Sequence, residues 1–141
     1  DKVPSKWLIP PSAYESEIEF PKFQNIAMGL GVDQDGQAGG SVIGDINNDG
    51  YNDIIASSWG MKEQLQVFIN KGDGSFYNAT EAAGIKGITG GLNINQTDYN
   101  NDGFLDIYIM RGAWNPKTEM GIQPNSLLRN NGDGTFTDVK Q

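Results

Sequence analysis

The chain has 141 residues, 37% of them hydrophobic, with 18 acidic against 10 basic side chains, a formal net charge of −8, and neither cysteine nor histidine. That length suits one ordinary domain with a modest core, and so few cations leave no basic footprint for phosphate backbones, which argues against nucleic acid as a partner. The lack of cysteine excludes a disulfide framework, the lack of histidine removes the commonest general base, and no run of 18 apolar residues is present to span a membrane.

Residues 1–22 read as a proline-rich linker or packing arm. Pro4, Pro10, Pro11 and Pro21 fall here and disfavour regular helix or central strand. Trp7 and Leu8 are its apolar anchors, and AYESEIEF suits either a short helical turn or a strand leading onward. The chain starts at Asp1 without a charged and apolar leader, as expected of a processed or excised piece.

From Phe23 onward the sequence repeats. FQNIAMGL at residue 23 corresponds to FYNATEAAGI at 76, and FTDVKQ at 136 opens the same phrase. INKGDGSF at 69–76 returns as RNNGDGTF at 129–136, the extra residues lying in RGAWNPKTEMGIQPNS. These offsets divide the chain into units of about 53–60 residues, at about 23–75 and 76–135, with 136–141 starting a further unit or closing the second.

Each unit offers four strand candidates: SVIGD (41–45) or LNINQTD (92–98), DIIASS (53–58) or DIYIM (106–110), QLQVFIN (64–70) or SLLRN (126–130), and SFYNAT (75–80) or TFTDV (135–139). Leu65, Val67 and Ile69 alternate with Gln66 and Phe68, the period-2 pattern of a pleated strand. The consecutive apolar residues of IIA suit a strand covered on both faces. Four strands per repeat of roughly this length predict an all-β fold of β-propeller blades. A blade needs neighbours on both sides, and closure takes about 4 to 8 blades, so two units imply part of a larger propeller or an arc packed on a partner.

Between the first two strand candidates lies DINNDGYND (45–53), repeated as DYNNDGFLD (98–106). Acidic residues at loop positions 1, 5 and 9, Asn at 3 and Gly at 6 describe a calcium cradle, because a hard cation takes about 6 to 8 oxygens and the chain must curl to supply them. The expected ligands are the side chains of Asp45, Asn47, Asp49 and Asp53 with the Tyr51 carbonyl, and those of Asp98, Asn100, Asp102 and Asp106 with the Phe104 carbonyl. Gly50 and Gly103 are expected at positive φ. Two structural Ca2+ ions would halve the excess negative charge, and without them three clustered carboxylates per loop repel one another. The competing explanation is that Asn, Asp and Gly only make polar turns. An EF-hand does not fit, since position 12 is Ala56 or Ile109 instead of an acid, and a strand follows instead of a helix.

GDINNDGYNDIIAS followed by FINKGDGSF resembles the FG-GAP and VCBS repeats of integrin α-subunit propellers and bacterial surface proteins. NSLLRNNGDGTFTDV is most similar to the cartilage-acidic-protein and ASPIC/UnbV group. The resemblance implies a seven-bladed or similar propeller, secreted or surface-attached, with calcium loops between the first two strands of a blade and the ten ligands already named. Thr97 stands where the other copy has Gly44, so the second loop is expected to enter at a different angle. No segment after Gln141 shows the family's C-terminal domain, so an activity housed there is not expected of this chain.

Several other features carry competing readings. Asp33 and Asp35 half-resemble a calcium loop but lack ligands at positions 5 and 9. Asp73 and Asp133 sit in GDG turns, where Asp-Gly favours left-handed hairpin geometry; Lys71-Gly72-Asp73, an integrin-ligand-like tripeptide, is more simply such a hairpin. Asn78-Ala79-Thr80 and Asn95-Gln96-Thr97 are N-glycosylation acceptors by pattern, yet both fall in expected strands and are read as unused. Trp59 and Trp114 occupy matching places and suit packing between blades or a sugar platform.

No catalytic constellation is evident: nucleophile elbow, P-loop and zinc motifs are absent, and the paired carboxylates are committed to metal. The expectation is a non-enzymatic binding or structural module of a secreted or surface protein, extracellular or periplasmic, where calcium is near millimolar. Its partners would be the remaining blades, another surface or envelope protein, or a glycan. The alternatives are the scaffold of an extracellular hydrolase or lyase whose active site lies elsewhere, and a subunit of a cell-envelope assembly.

Overall fold

The computed structural model describes residues 10–14, 21–111 and 123–139. A 3-10 turn at Pro11–Tyr14 and one helical turn, α1 (Ala27–Leu30), precede eight strands. These are β1 (Ala38–Gly44), β2 (Asp53–Ser58), β3 (Gln66–Asn70), β4 (Phe76–Asn78), β5 (Asn93–Thr97), β6 (Asp106–Met110), β7 (Ser126–Asn130) and β8 (Phe136–Asp138). They form two four-stranded antiparallel sheets, β1-β2-β3-β4 and β5-β6-β7-β8, each strand pairing with its neighbour in sequence. The fold is all-β with the architecture of adjacent propeller blades, and two sheets do not close a ring. The AYESEIEF stretch after Tyr14, Trp7, Leu8 and Trp114 lie outside the described residues.

Strand identity follows the alternation in the sequence. Val42, Ile55 and Val67 stand opposite one another across β1, β2 and β3, and Ile107 stands opposite Leu128 across β6 and β7. The first row faces the second, and together with Ile46, Leu65, Ile69, Ile94, Ile109 and Phe136 they fill a single core between the sheets. Ile55, Leu65, Val67 and Ile109 are 0% exposed. Neither sheet could hide such a face alone, and removing this apolar area from water is the main force holding the repeats together.

The sheets meet most closely at β1 and β5. Gln96 donates its amide to the Ile43 carbonyl at 3.0 Å. A side chain on Gly40 would place its Cβ 2.7 Å from Asn93 Oδ1 and 2.8 Å from the Ile94 nitrogen, so the approach depends on glycine. Ser57 ties the same region together: its hydroxyl bonds the Gly40 carbonyl at 3.1 Å and the Gly91 carbonyl at 2.9 Å.

Several boundaries depart from the sequence expectation for identifiable reasons. β1 starts at Ala38 instead of 41, with an irregular register between Ala38 and Ser41. β3 starts at Gln66, because the backbone at Gln64 and Leu65 pairs elsewhere, Gln64 bridging Thr89 and the Leu65 N–H donating to the Ile88 carbonyl at 3.0 Å. Phe76–Asn78 pairs with β3 and Phe136–Asp138 with β7, so each of these phrases is the last strand of its own sheet, and residues 136–138 close the second unit. In the GDG hairpins the left-handed residues are the flanking glycines, Gly72, Gly74, Gly132 and Gly134, and not the aspartates. Asp73 and Asp133 instead accept hydrogen bonds from Ser75 and Thr135, which hold both carboxyls below the usual carboxylate range.

Candidate functional site

Both DxNxDGxxD segments are loops between the first and second strands of their sheets, Asp45–Asp53 joining β1 to β2 and Asp98–Asp106 joining β5 to β6. Their local geometry repeats almost atom for atom. Asp45 Oδ1 accepts the Asp49 N–H at 3.0 Å and Asp45 Oδ2 the Gly50 N–H at 2.8 Å; Asp98 holds Asp102 and Gly103 in the same way at 3.1 and 2.9 Å. Asn47 Nδ2 donates to Asp49 Oδ2 at 2.9 Å, and Asn100 Nδ2 to Asp102 Oδ2 at 2.7 Å. Asp49 and Asp102 also accept the N–H of Tyr51 and Phe104 at 2.9 and 3.0 Å.

The curl of each loop requires two left-handed residues. Gly50 and Gly103 both have φ of +90°, and their surroundings are open, so backbone angle and not crowding selects glycine there. Asn48 at φ +60° and Asn101 at +57° are the others. Asparagine is among the few residues with a Cβ that tolerate this region, and the second Asn of each NND was the signal in the sequence for it.

The ninth-position acids differ from the rest. Asp53 and Asp106 are 0% exposed. Asp53 accepts the Ile46 N–H at 3.0 Å and the Asn70 N–H at 2.8 Å, and Asp106 accepts those of Tyr99 and Asn130 at 3.1 and 2.8 Å. Each therefore pins the start of its loop to the end of the third strand. Burial pushes the Asp53 carboxyl up, against the two backbone hydrogen bonds from Asn70 and Ile46, and the nearby Asp49 and Asp45 push it the same way as burial.

Among the described residues no three His, Cys, Asp or Glu side chains gather closely enough to hold a metal by themselves. The side chains that the spacing predicts, Asp45, Asn47, Asp49 and Asp53 in one loop and Asp98, Asn100, Asp102 and Asp106 in the other, carry oxygen donors, but their three carboxylates per loop are not gathered about one point. The chemistry of that set suits a hard cation, since every donor is oxygen. Each loop carboxylate oxygen named above accepts one hydrogen bond and keeps a second lone pair. The fifth members, Tyr51 and Phe104, lay their rings against the hairpin glycines Gly72 and Gly132.

The remaining candidates do not join a site. Asp33 and Asp35 are exposed ahead of β1. Asn78 donates to Gln66 Oε1 at 2.7 Å and accepts the Thr80 N–H at 3.0 Å, while Thr80 is 8% exposed, so this acceptor triplet is engaged in the fold. Asn95 is exposed on β5. Trp59 follows β2 and is 41% exposed.

Sequence reasoning missed three polar residues that organise the fold, two of them buried. Arg111, 6% exposed, donates to the Thr89 and Pro124 carbonyls at 2.8 and 2.6 Å and to Ser126 Oγ at 2.8 Å. Glu63 clips the segment before β1 by accepting from Ser58 Oγ and from the Gln37 N–H, which hold its carboxyl below the usual range. Asn130 lies 84 residues from the loop carbonyl it bonds, that of Ile46 at 2.9 Å. Only its recurrence with Asn70 before the hairpin turn hinted at a role.

Residues 45–109 match the FG-GAP-like repeat family. Over 116 residues the chain is 30% identical to cartilage acidic protein 1 of Xenopus tropicalis; this covers 82% of the chain but only 17% of that relative's length.

Proposed function

Because the chain belongs to the FG-GAP-like repeat group, we propose that it is a calcium-stabilised pair of propeller blades from an extracellular protein, working as a binding or structural module. The observation that carries this reading is the identical folding of two oxygen-only loops at the same place in two sheets. Asp45, Asn47, Asp49, Asp53 and the Tyr51 carbonyl would hold one ion, and Asp98, Asn100, Asp102, Asp106 and the Phe104 carbonyl the other. The ion supplies positive charge where burial and neighbouring carboxylates disfavour ionised Asp53. Calorimetric titration of the chain is expected to give two calcium ions per molecule, falling to one in Asp49→Ala and in Asp102→Ala. An unchanged stoichiometry in the variants would remove the assignment.

The partner we propose is a further repeat of the same kind, docked on the outer face of the first sheet. Phe23 is 98% exposed, Met28 81%, and Ile26 and Ile43 58% each, whereas Phe76, the counterpart of Phe23 in the next copy of the phrase, is half-buried and Phe136, in the copy after that, is 6% exposed. An isolated chain with this apolar face is expected to self-associate as its concentration rises, and Met28→Lys with Ile43→Lys to keep it monomeric in sedimentation. A wild-type chain that stays monomeric from micromolar to millimolar concentration would show that the face needs no cover.

A further inference from the structure

Among the described residues, the Asn130 side chain hydrogen-bonds to both loops. Ile46, the second residue of the first loop, donates its N–H to Asp53 Oδ2 at 3.0 Å and receives Asn130 Nδ2 on its carbonyl at 2.9 Å. The same Asn130 amide nitrogen reaches the Leu105 carbonyl of the second loop at 3.3 Å. The Asn130 backbone N–H donates to Asp106 Oδ1 at 2.8 Å. A row of hydrogen bonds thus runs Asp53, Ile46, Asn130, Asp106, from the ninth position of one loop to the ninth position of the other. None of the four residues is more than 2% exposed.

Asn70, the counterpart of Asn130, serves as an internal control. It makes the equivalent bonds within its own repeat, to Asn52 O at 3.0 Å and from its backbone to Asp53 Oδ1 at 2.8 Å. Asn130 adds the bond to the other repeat. Since water does not reach this row, a shift of the Ile46 carbonyl has no solvent substitute and must be followed by Asn130 or leave buried polar groups unpaired. An ion that fixes Asp53 fixes Ile46 with it, and so prepares Asn130 and Asp106 for an ion in the second loop. Such a linkage is reciprocal by thermodynamic necessity.

We propose that Asn130 is a positioning residue that couples the two loops, so that calcium in either one strengthens calcium binding in the other. This rests on the calcium reading given above. The test is calorimetric titration with calcium of the wild-type chain and of the single-loop chains Asp49→Ala and Asp102→Ala, each with and without Asn130→Ala. The second ion is expected to bind the wild type at least about five-fold more tightly than the same loop binds in its single-loop chain, the lower end of usual coupling. Asn130→Ala is expected to bring that ratio close to one while leaving two ions per chain. Two ions binding with single-loop affinities would overturn the coupling and leave the metal reading standing; no calcium binding by any chain would overturn both.

Should Asn130→Ala fail to fold, the side-chain amide resonances of Asn130 can be followed in Asp102→Ala, where calcium fills the first loop alone. Movement of those signals, with strengthened binding in the wild type, supports the coupling through Asn130. Signals that stay fixed while the first loop fills would overturn it.

Discussion

Calcium in excess of chelator is expected to raise the melting temperature of the wild-type chain by roughly 10 to 20 °C, and to leave Asp49→Ala plus Asp102→Ala unmoved. At 100 times its dissociation constant each ion stabilises the folded state by about 2.7 kcal/mol. Two ions therefore contribute about 5 kcal/mol, a large share of the stability of an ordinary domain, and for a chain of this size each kcal/mol moves the transition by several degrees. The opposing possibility is specific: Asp45 and Asp49 already bond loop amides, as turn-forming side chains do without metal. If that is their whole task, the double variant loses some stability but calcium changes neither curve. The Asp53 carboxyl, raised by burial first, makes the metal-free chain less stable as pH climbs from the unfolded carboxylate value through the folded one. A bound divalent cation opposes that loss.

Gly40→Val is expected to destabilise the chain by about 3 kcal/mol or more, at the upper end of overpacking and comparable to Ile55→Ala, which opens a cavity in a 0% exposed position and costs about 2 to 5 kcal/mol. The valine Cβ would meet Asn93 Oδ1 at 2.7 Å and the Ile94 nitrogen at 2.8 Å. The second contact is with main chain, which cannot swing aside, so β1 and β5 must separate and the aliphatic layer behind them loosens. Gly29→Ala is the control, since nothing lies within 4 Å of its Cβ. Urea unfolding midpoints for the three variants check this. A Gly40→Val chain as stable as Gly29→Ala would mean that the strands are not in the close contact described.

Most strands were legible because the chain writes them twice. Alternation in QVFIN and apolar runs in DIIASS and DIYIM identify strands in either copy, and the second copy confirms the first. The loops were legible for the same reason, down to Gly50 and Gly103 at positive φ. The mutual arrangement of the copies was not, because Asn130 to Ile46 O and Gln96 to Ile43 O span 84 and 53 residues and a one-dimensional pattern does not report which faces meet. Arg111 was hidden for a related reason. An arginine in sequence reads as surface, and it is two carbonyl acceptors, one hydroxyl and the charge of Asp138 that make its burial tolerable. The late start of β3 was lost to competing backbone partners, since Gln64 and Leu65 pair with Thr89 and Ile88 instead of with β2.

The turn that ends the first unit does not stay with its own sheet. The Ala83 carbonyl accepts the Phe136 N–H at 2.9 Å, so residues leaving one unit rest on the last strand of the next. A stretch of about 53 residues copied in tandem would accordingly bring with it both halves of its seam, the protruding turn and the strand end that receives another. Lineages could lengthen or shorten such arrays by unequal exchange without inventing a new contact.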